Sequence, residues 1–124
     1  MYLRRYQAAD LDGCLALFDS NTPTFFAPHE RAEFMEFLAN TTDPYFVVVD
    51  EQGQIIGCGG YYIKCEGAAA GLSWGMVSNR LHRQGVGRFL LLARLQRICQ
   101  EPDVTSIWIN TSQHSYGFFE KVGF

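Results

Sequence analysis

The sequence predicts an α/β (α+β) fold with a mixed, mainly antiparallel central sheet and helices on both faces. Three observations point there. Two apolar runs, 45–49 and 55–63, flank a short turn at Glu51-Gln52-Gly53 and read as a hairpin. Segments with helical spacing are interspersed with strand-like ones along the whole chain, which places helices against a sheet. The leucine-rich stretch 85–100 separates two strand-like runs and has the length of a crossover between parallel neighbours.

Each element has its own signal. "MYLRRYQ" alternates and reads as a first strand. "AADLDGCLALFDS" follows with Leu11, Cys14, Leu15 and Phe18 at helical spacing and Asp10 placed to cap it. "NTPTFFAP" is a loop, and "HERAEFMEFLANT" sets Phe34, Phe37 and Leu38 on one face with acids near its start. In the hairpin, Gly59-Gly60 indicates a bulge or a close backbone approach. "AAAGLSWGMVS" is a fourth strand after a turn near Gly67. From Gly85 to Gln100 a helix turns Leu91, Leu95 and Ile98 inward, with Leu92 and Cys99 beside them. "VTSIWIN" is a fifth strand, and "QHSYGFFEKVGF" holds a last short helix ending near Gly123. The order β-α-α-β-β-β-α-β-α fits one domain over residues 1–124.

Composition narrows the function classes. The first residues lack the apolar core of a signal peptide, and no run approaches the roughly 20 apolar residues of a membrane span. A cytoplasmic protein with no membrane partner is expected. Cys14, Cys58, Cys65 and Cys99 form no CxxC pair and lie in apolar stretches, so reduced, mostly buried thiols are expected. His29, His82 and His114 lack ligand spacing, so no metal is expected. Charge is unevenly placed. The total is −3, yet residues 67–100 contain no Asp or Glu and five arginines, Arg80, Arg83, Arg88, Arg94 and Arg97. That window suits a small polyanion, while the acidic whole argues against nucleic acid. Arg94 and Arg97 read more simply as cations on the solvent face of the helix.

Within the window, Gln84-Gly85-Val86-Gly87-Arg88 stands at a strand-to-helix junction. The glycines open backbone conformations closed to other residues, and a first helical turn presents unpaired N–H groups at the positive end of its dipole. A diphosphate can rest on those amides with Arg83 or Arg88 beside it. Two other phosphate loops do not fit: Leu90 stands where a dinucleotide fingerprint has a third glycine, and a Walker Gly-Lys-Ser/Thr is absent.

"WGMVSNRLHRQGVGRFLLLARL", followed by "SIWIN" and the ending "FFEKVGF", resembles the GNAT family of N-acetyltransferases over essentially the whole chain. The resemblance implies acetyl-CoA as cosubstrate, with its pyrophosphate on the amides of the Gly85–Gly87 loop. The implied binding residues are Met76, Val77, His82, Arg83, Gln84, Gly85, Val86, Gly87, Arg88 and Phe119. It also implies an amine acceptor, and a backbone N–H near Met76 or Val77 for the oxyanion.

Three departures matter. His82 stands where the family has Arg or Gln, and Phe119 where it has a tyrosine near the thioester sulfur. The family pattern continues into two more strands after the point corresponding to Phe124, so a sheet apparently lacking them is expected, either because the domain is C-terminally truncated or because partner strands come from elsewhere, as in a homodimer.

Acetyl transfer asks a protein to position two substrates, supply a neutral amine and accommodate an oxyanion and a departing thiolate. Freeing an amine of pKa about 10.4 at pH 7 costs roughly 4–5 kcal/mol. The fourth strand offers no carboxylate. Glu66, Glu30, Glu33 or a water held by backbone carbonyls remain as bases, and Tyr116, Ser115, Ser112 or water as donors to a thiolate. Phe25, Phe26, Tyr61, Tyr62 and Trp74 are candidates for an acceptor pocket, though such aromatics more often build core. The alternative is a non-catalytic acyl-CoA-binding or sensing module, or a structural domain with a basic helix.

Overall fold

The computed structural model describes residues 1–22, 26–64 and 66–108. Its strands are β1 (Tyr2–Arg5), β2 (Tyr45–Val49), β3 (Ile55–Lys64), β4 (Ala69–Val77) and β5 (Ser106–Trp108). Its helices are α1 (Leu11–Ser20), α2 (Glu30–Asn40) and α3 (Val86–Ile98), and short 3₁₀ turns cover Ala8–Asp10 and Asn79–Leu81. The five strands form one sheet in sequence order. It is antiparallel from β1 to β4, and β5 joins β4 in parallel over Ala69–Gly71. The hairpins and the α3 crossover dictate that mixture, as the sequence predicts.

Both faces of the sheet are covered because β2 is apolar at every position. Alternation sends Tyr45, Val47 and Val49 to one face, where they meet Cys14, Leu15 and Phe18 of α1 and Phe34 and Leu38 of α2. It sends Phe46 and Val48 to the other, against Val86, Leu90 and Ile98 of α3. Phe18 and Phe34 are fully buried and stack with ring centroids 5.8 Å apart.

Several expectations need correction. Asp10 does not cap α1 with its side chain. It is buried at the end of the 3₁₀ turn, where its carboxylate accepts from the Gln7 N–H at 2.8 Å and from both Nη atoms of Arg4 at 2.8 and 2.9 Å. Leu92 and Cys99, placed beside the inward face of α3, are exposed, while Leu90 and Arg94 are buried. A step of about 100° per residue explains the difference: the buried arc runs from Leu90 through Arg94 to Leu91 and Ile98, so Arg94 lies at its centre and Leu92 and Cys99 fall outside. Arg97, also assigned to solvent, is half-buried with its guanidinium 4.9 Å from the centroid of the Phe46 ring. The last helix expected in 113–124, and Cys65, lie outside the described residues.

The Asp10–Arg4 pair gives a pH test. Hydrogen bonds from Arg4 hold the Asp10 carboxyl below its ordinary range against the opposing effect of burial. Its stabilisation is therefore complete above the unfolded value of about 3.9 and lost as pH falls through the lower folded value. The difference in urea midpoint between the wild type and Asp10→Asn should be constant from about pH 5 to 8 and shrink below about pH 4.

Candidate active site

β4 ends at Val77, and the chain then makes a 3₁₀ turn over Asn79–Leu81 and a tight reversal into α3. The reversal uses two left-handed residues, Arg83 at φ 68° and Gly85 at φ 87°. For Gly85 this conformation carries no steric penalty; for Arg83 it costs on the order of 1 kcal/mol. Helical bonding starts with the Phe89 N–H donating to Gly85 O at 3.0 Å. Ahead of it, the amides of Gly85, Val86, Gly87 and Arg88 donate to no carbonyl or side chain among the described residues. A first helical turn leaves such donors by geometry, aligned with the positive end of the dipole.

Around these amides the surface is open and basic. A Cβ built on Gly85 meets nothing within 4 Å. Arg80, Arg83, Gln84 and Arg88 are exposed, and none of the three arginines pairs with a carboxylate among the described residues. Val86 is buried against Val48 and Ile56 and anchors the turn to the sheet. His82 Nε2 lies 3.2 Å from Val77 O, a hydrogen bond when that nitrogen carries the proton. The sequence-predicted loop residues His82 to Arg88 thus come together, next to the end of β4 where Met76 and Val77 stand on opposite faces of the sheet.

Two features shape that strand end, a tether from Asn21 and the bulge that Gly59-Gly60 indicates. Asn21, buried at the end of α1, donates through Nδ2 to Val77 O at 2.9 Å and to Leu17 O at 2.8 Å, tying α1 to the strand that enters the loop. Between the pairs Cys58–Met76 and Gly60–Ser73, β4 carries two residues, Trp74 and Gly75, against the single Gly59 of β3. This is a β-bulge, with Trp74 at φ 42°. The Tyr45 hydroxyl donates to Trp74 O at 2.7 Å, and burial pushes that phenol's pKa well above its usual value, so it stays a donor. The glycine pair Gly59-Gly60 carried the signal for the bulge; Asn21 had none beyond its position after an apolar helix.

Other candidates stand apart. Glu66, at φ 57°, is exposed in the β3–β4 turn, at the opposite end of β4 from the loop and roughly 30 Å away along the strand. Glu30 Oε1 accepts from the Ala27 N–H at 2.9 Å, in the turn that leads into α2. Phe26 and Trp74 pack on the α1–α2 core and Tyr61 is buried on the α3 face, which favours the core reading for them. Tyr116, Phe119, Ser112, Ser115 and Phe25 lie outside the described residues.

Undonated amides at the start of a crossover helix, reached from a bulged strand, mark this end of the mixed sheet as the candidate site of an α/β domain. The model of the acetyltransferase (GNAT) family matches residues 14–124, and the chain belongs to that family. Solved structures share the fold. A Trypanosoma brucei acetyltransferase superposes with a TM-score of 0.74 at 20% identity, covering 99% of this chain and 91% of that one. An aminoglycoside 6'-N-acetyltransferase complexed with coenzyme A gives 0.77 at 16%, covering 99% and 84%. The ribosomal-protein-S18-alanine N-acetyltransferase of Escherichia coli gives 0.76 at 16%, covering 98% and 76%. No curated sequence matches this chain closely enough to count as a relative.

The Tyr45–Trp74 bond can be checked directly. Tyr45→Phe leaves a part-buried carbonyl without its donor and should lower the unfolding free energy by about 1–2 kcal/mol, measured by urea denaturation.

Proposed function

We propose that the protein transfers an acetyl group from acetyl-CoA to a primary amine of a small molecule or a protein. The observation that carries this reading is the set of undonated amides from Gly85 to Arg88, flanked by Arg80, Arg83 and Arg88, in a chain of this family. The residues fit the group: donors, cations and open space coincide, and no carboxylate occurs between residues 67 and 100 to oppose a diphosphate.

The loop would hold the pyrophosphate, and the end of β4 around Met76 and Val77 would run beside the pantetheine arm. Bound acetyl-CoA supplies an activated acyl thioester. The chain's own task is then to orient it, to exclude water and to present backbone N–H groups of β4 where negative charge develops on the acyl oxygen. The amine nitrogen bonds to the acyl carbon, the carbon–sulfur bond breaks with its electron pair on sulfur, and the amine gives up its proton. A thiolate of pKa about 8.5 leaves readily, so Tyr116 or a water is an adequate donor.

Removal of the amine proton is the harder step. Glu66 remains a proposed base only if it acts far from the loop, and β4 offers no nearer carboxylate. For an acceptor of pKa about 10.4 the neutral form costs roughly 4–5 kcal/mol at pH 7, but for an α-amino group of pKa about 8 it costs only about 1 kcal/mol. The same shortage of acids favours a second reading, a non-catalytic module that binds acyl-CoA. We further propose that the protein acts in the cytoplasm, and as a possible homodimer. Among the described residues no helix is long and apolar enough to cross a membrane.

Calorimetry with coenzyme A should show binding that weakens with added salt and is lost in Gly85→Val, whose side chain would stand in the open space above the amides. Thiol release on an amine panel separates the two readings. With no protein base, kcat/KM should rise about tenfold per pH unit up to the acceptor's own pKa, and a plateau well below it would identify a titrating protein group.

A further inference from the structure

Arg94 is 5% exposed on the inner face of α3, where helices usually place leucine. Nη1 donates to Gly60 O at 3.2 Å, Nε has no partner, and no carboxylate pairs with the guanidinium among the described residues. Burial pulls the group down to about 10, which leaves it charged at neutral pH.

Its location is specific. A Cβ on Gly59 would stand 3.0 Å from Nη1, and one on Gly75 would stand 2.8 Å from Nη2. The guanidinium therefore occupies the space of two missing side chains, one on each strand, across the register break that makes the Trp74–Gly75 bulge. There it supplies a donor to a β3 carbonyl at the point where the ladder is interrupted. Tyr45 holds Trp74 O from the opposite face of the sheet. A methionine would fill much of the same volume without burying a charge, so stability alone does not account for an arginine here.

We propose that Arg94 is a positioning residue for acyl transfer: its guanidinium fills the glycine-lined gap behind the bulge and fixes the Gly75–Val77 backbone that faces the acyl group. The role rests on the acetyl-transfer reading above. It acts through the backbone, with a positive charge that no carboxylate among the described residues pairs, behind the place proposed for the acyl oxygen.

The test compares the full chain with R94M and R94K. Three quantities are read: coenzyme A affinity by calorimetry, kcat and KM for acetyl-CoA by thiol release, and the amide resonances of Gly75, Met76 and Val77 by ¹H–¹⁵N NMR. In R94M, kcat should fall by about 10–100-fold while coenzyme A affinity and KM stay within about threefold, because the donors are displaced and the nest is not. The three amide resonances should shift in the free protein, and R94K, which keeps the charge and a donor, should recover part of kcat. An R94M with wild-type kcat overturns the proposal, as does a parallel loss of kcat and coenzyme affinity, the mark of a merely structural role. If R94M does not fold, R94K decides: lowered kcat at unchanged KM and affinity supports the role, and wild-type kcat overturns it. A wild type that binds no coenzyme A, or binds it and acetylates no amine, defeats the acetyl-transfer reading and this role with it; a working wild type with an unaffected R94M defeats this role alone.

Discussion

Between Gly57 and Gly60 the sheet has to pair a strand with a neighbour that is one residue longer. The pairs Cys58–Met76 and Gly60–Ser73 close on either side, and the surplus residue of β4 is pushed out at Trp74–Gly75. A bulge of this kind interrupts the ladder and turns the strand, so the geometry of everything after it depends on how it is held. Glycines at 59, 60 and 75 leave room, the Tyr45 hydroxyl enters from the α1–α2 face and the Arg94 guanidinium from the α3 face. The last residues of β4, the turn through Asn79–Leu81 and the nest at Gly85 are all positioned from this clamp. Asn21 adds a second tether at Val77 O.

The electrostatics follow the same path along the chain. α3 starts with unpaired amides, carries Arg88 at its mouth and Arg94 in its buried face, and lies in a stretch free of acids. Every fixed charge on that element has the sign that attracts a phosphate carrier. The cost is that nothing on β4 or α3 can take a proton from an ammonium group. In the proposed reading, a site that holds a diphosphate by field and amides is for that reason a poor general base, and acceptors of low pKa would suit it best.

Much of this was legible in the sequence because it rests on local rules. Short apolar runs, a Gly-containing turn and a crossover-length helix point to the strands, the central hairpin and the mixed sheet. Gly85 marks the junction into α3 because a left-handed residue favours glycine. What was not legible depends on partners distant in sequence. Arg94 looked like a surface cation by residue type, although its spacing from Leu90, Leu91 and Ile98 places it on the buried arc, and only Gly59 and Gly75, 35 and 19 residues away, make room for it. Asp10 sat where a cap belongs, yet its carboxylate was taken by Arg4 across the strand–helix junction. Leu92 and Cys99 are apolar by type, but the 100° step per residue carries both outside the buried arc.

The two groups that hold the bulge share one property, fixed protonation. Burial raises the Tyr45 phenol well above its ordinary pKa and lowers the Arg94 guanidinium to about 10, so across the neutral range one remains a neutral hydroxyl and the other a cation. Neither shift brings its group into the range where enzymes usually work. The thiol of Cys14, beside Cys58 beneath the same strands, is likewise pushed up and stays protonated. The clamp therefore keeps one shape between pH 6 and 8. A change in rate over that interval has to originate in the acceptor amine or in a group away from the clamp, which makes the pH profile a reading of the chemistry, undistorted by the scaffold that aims it.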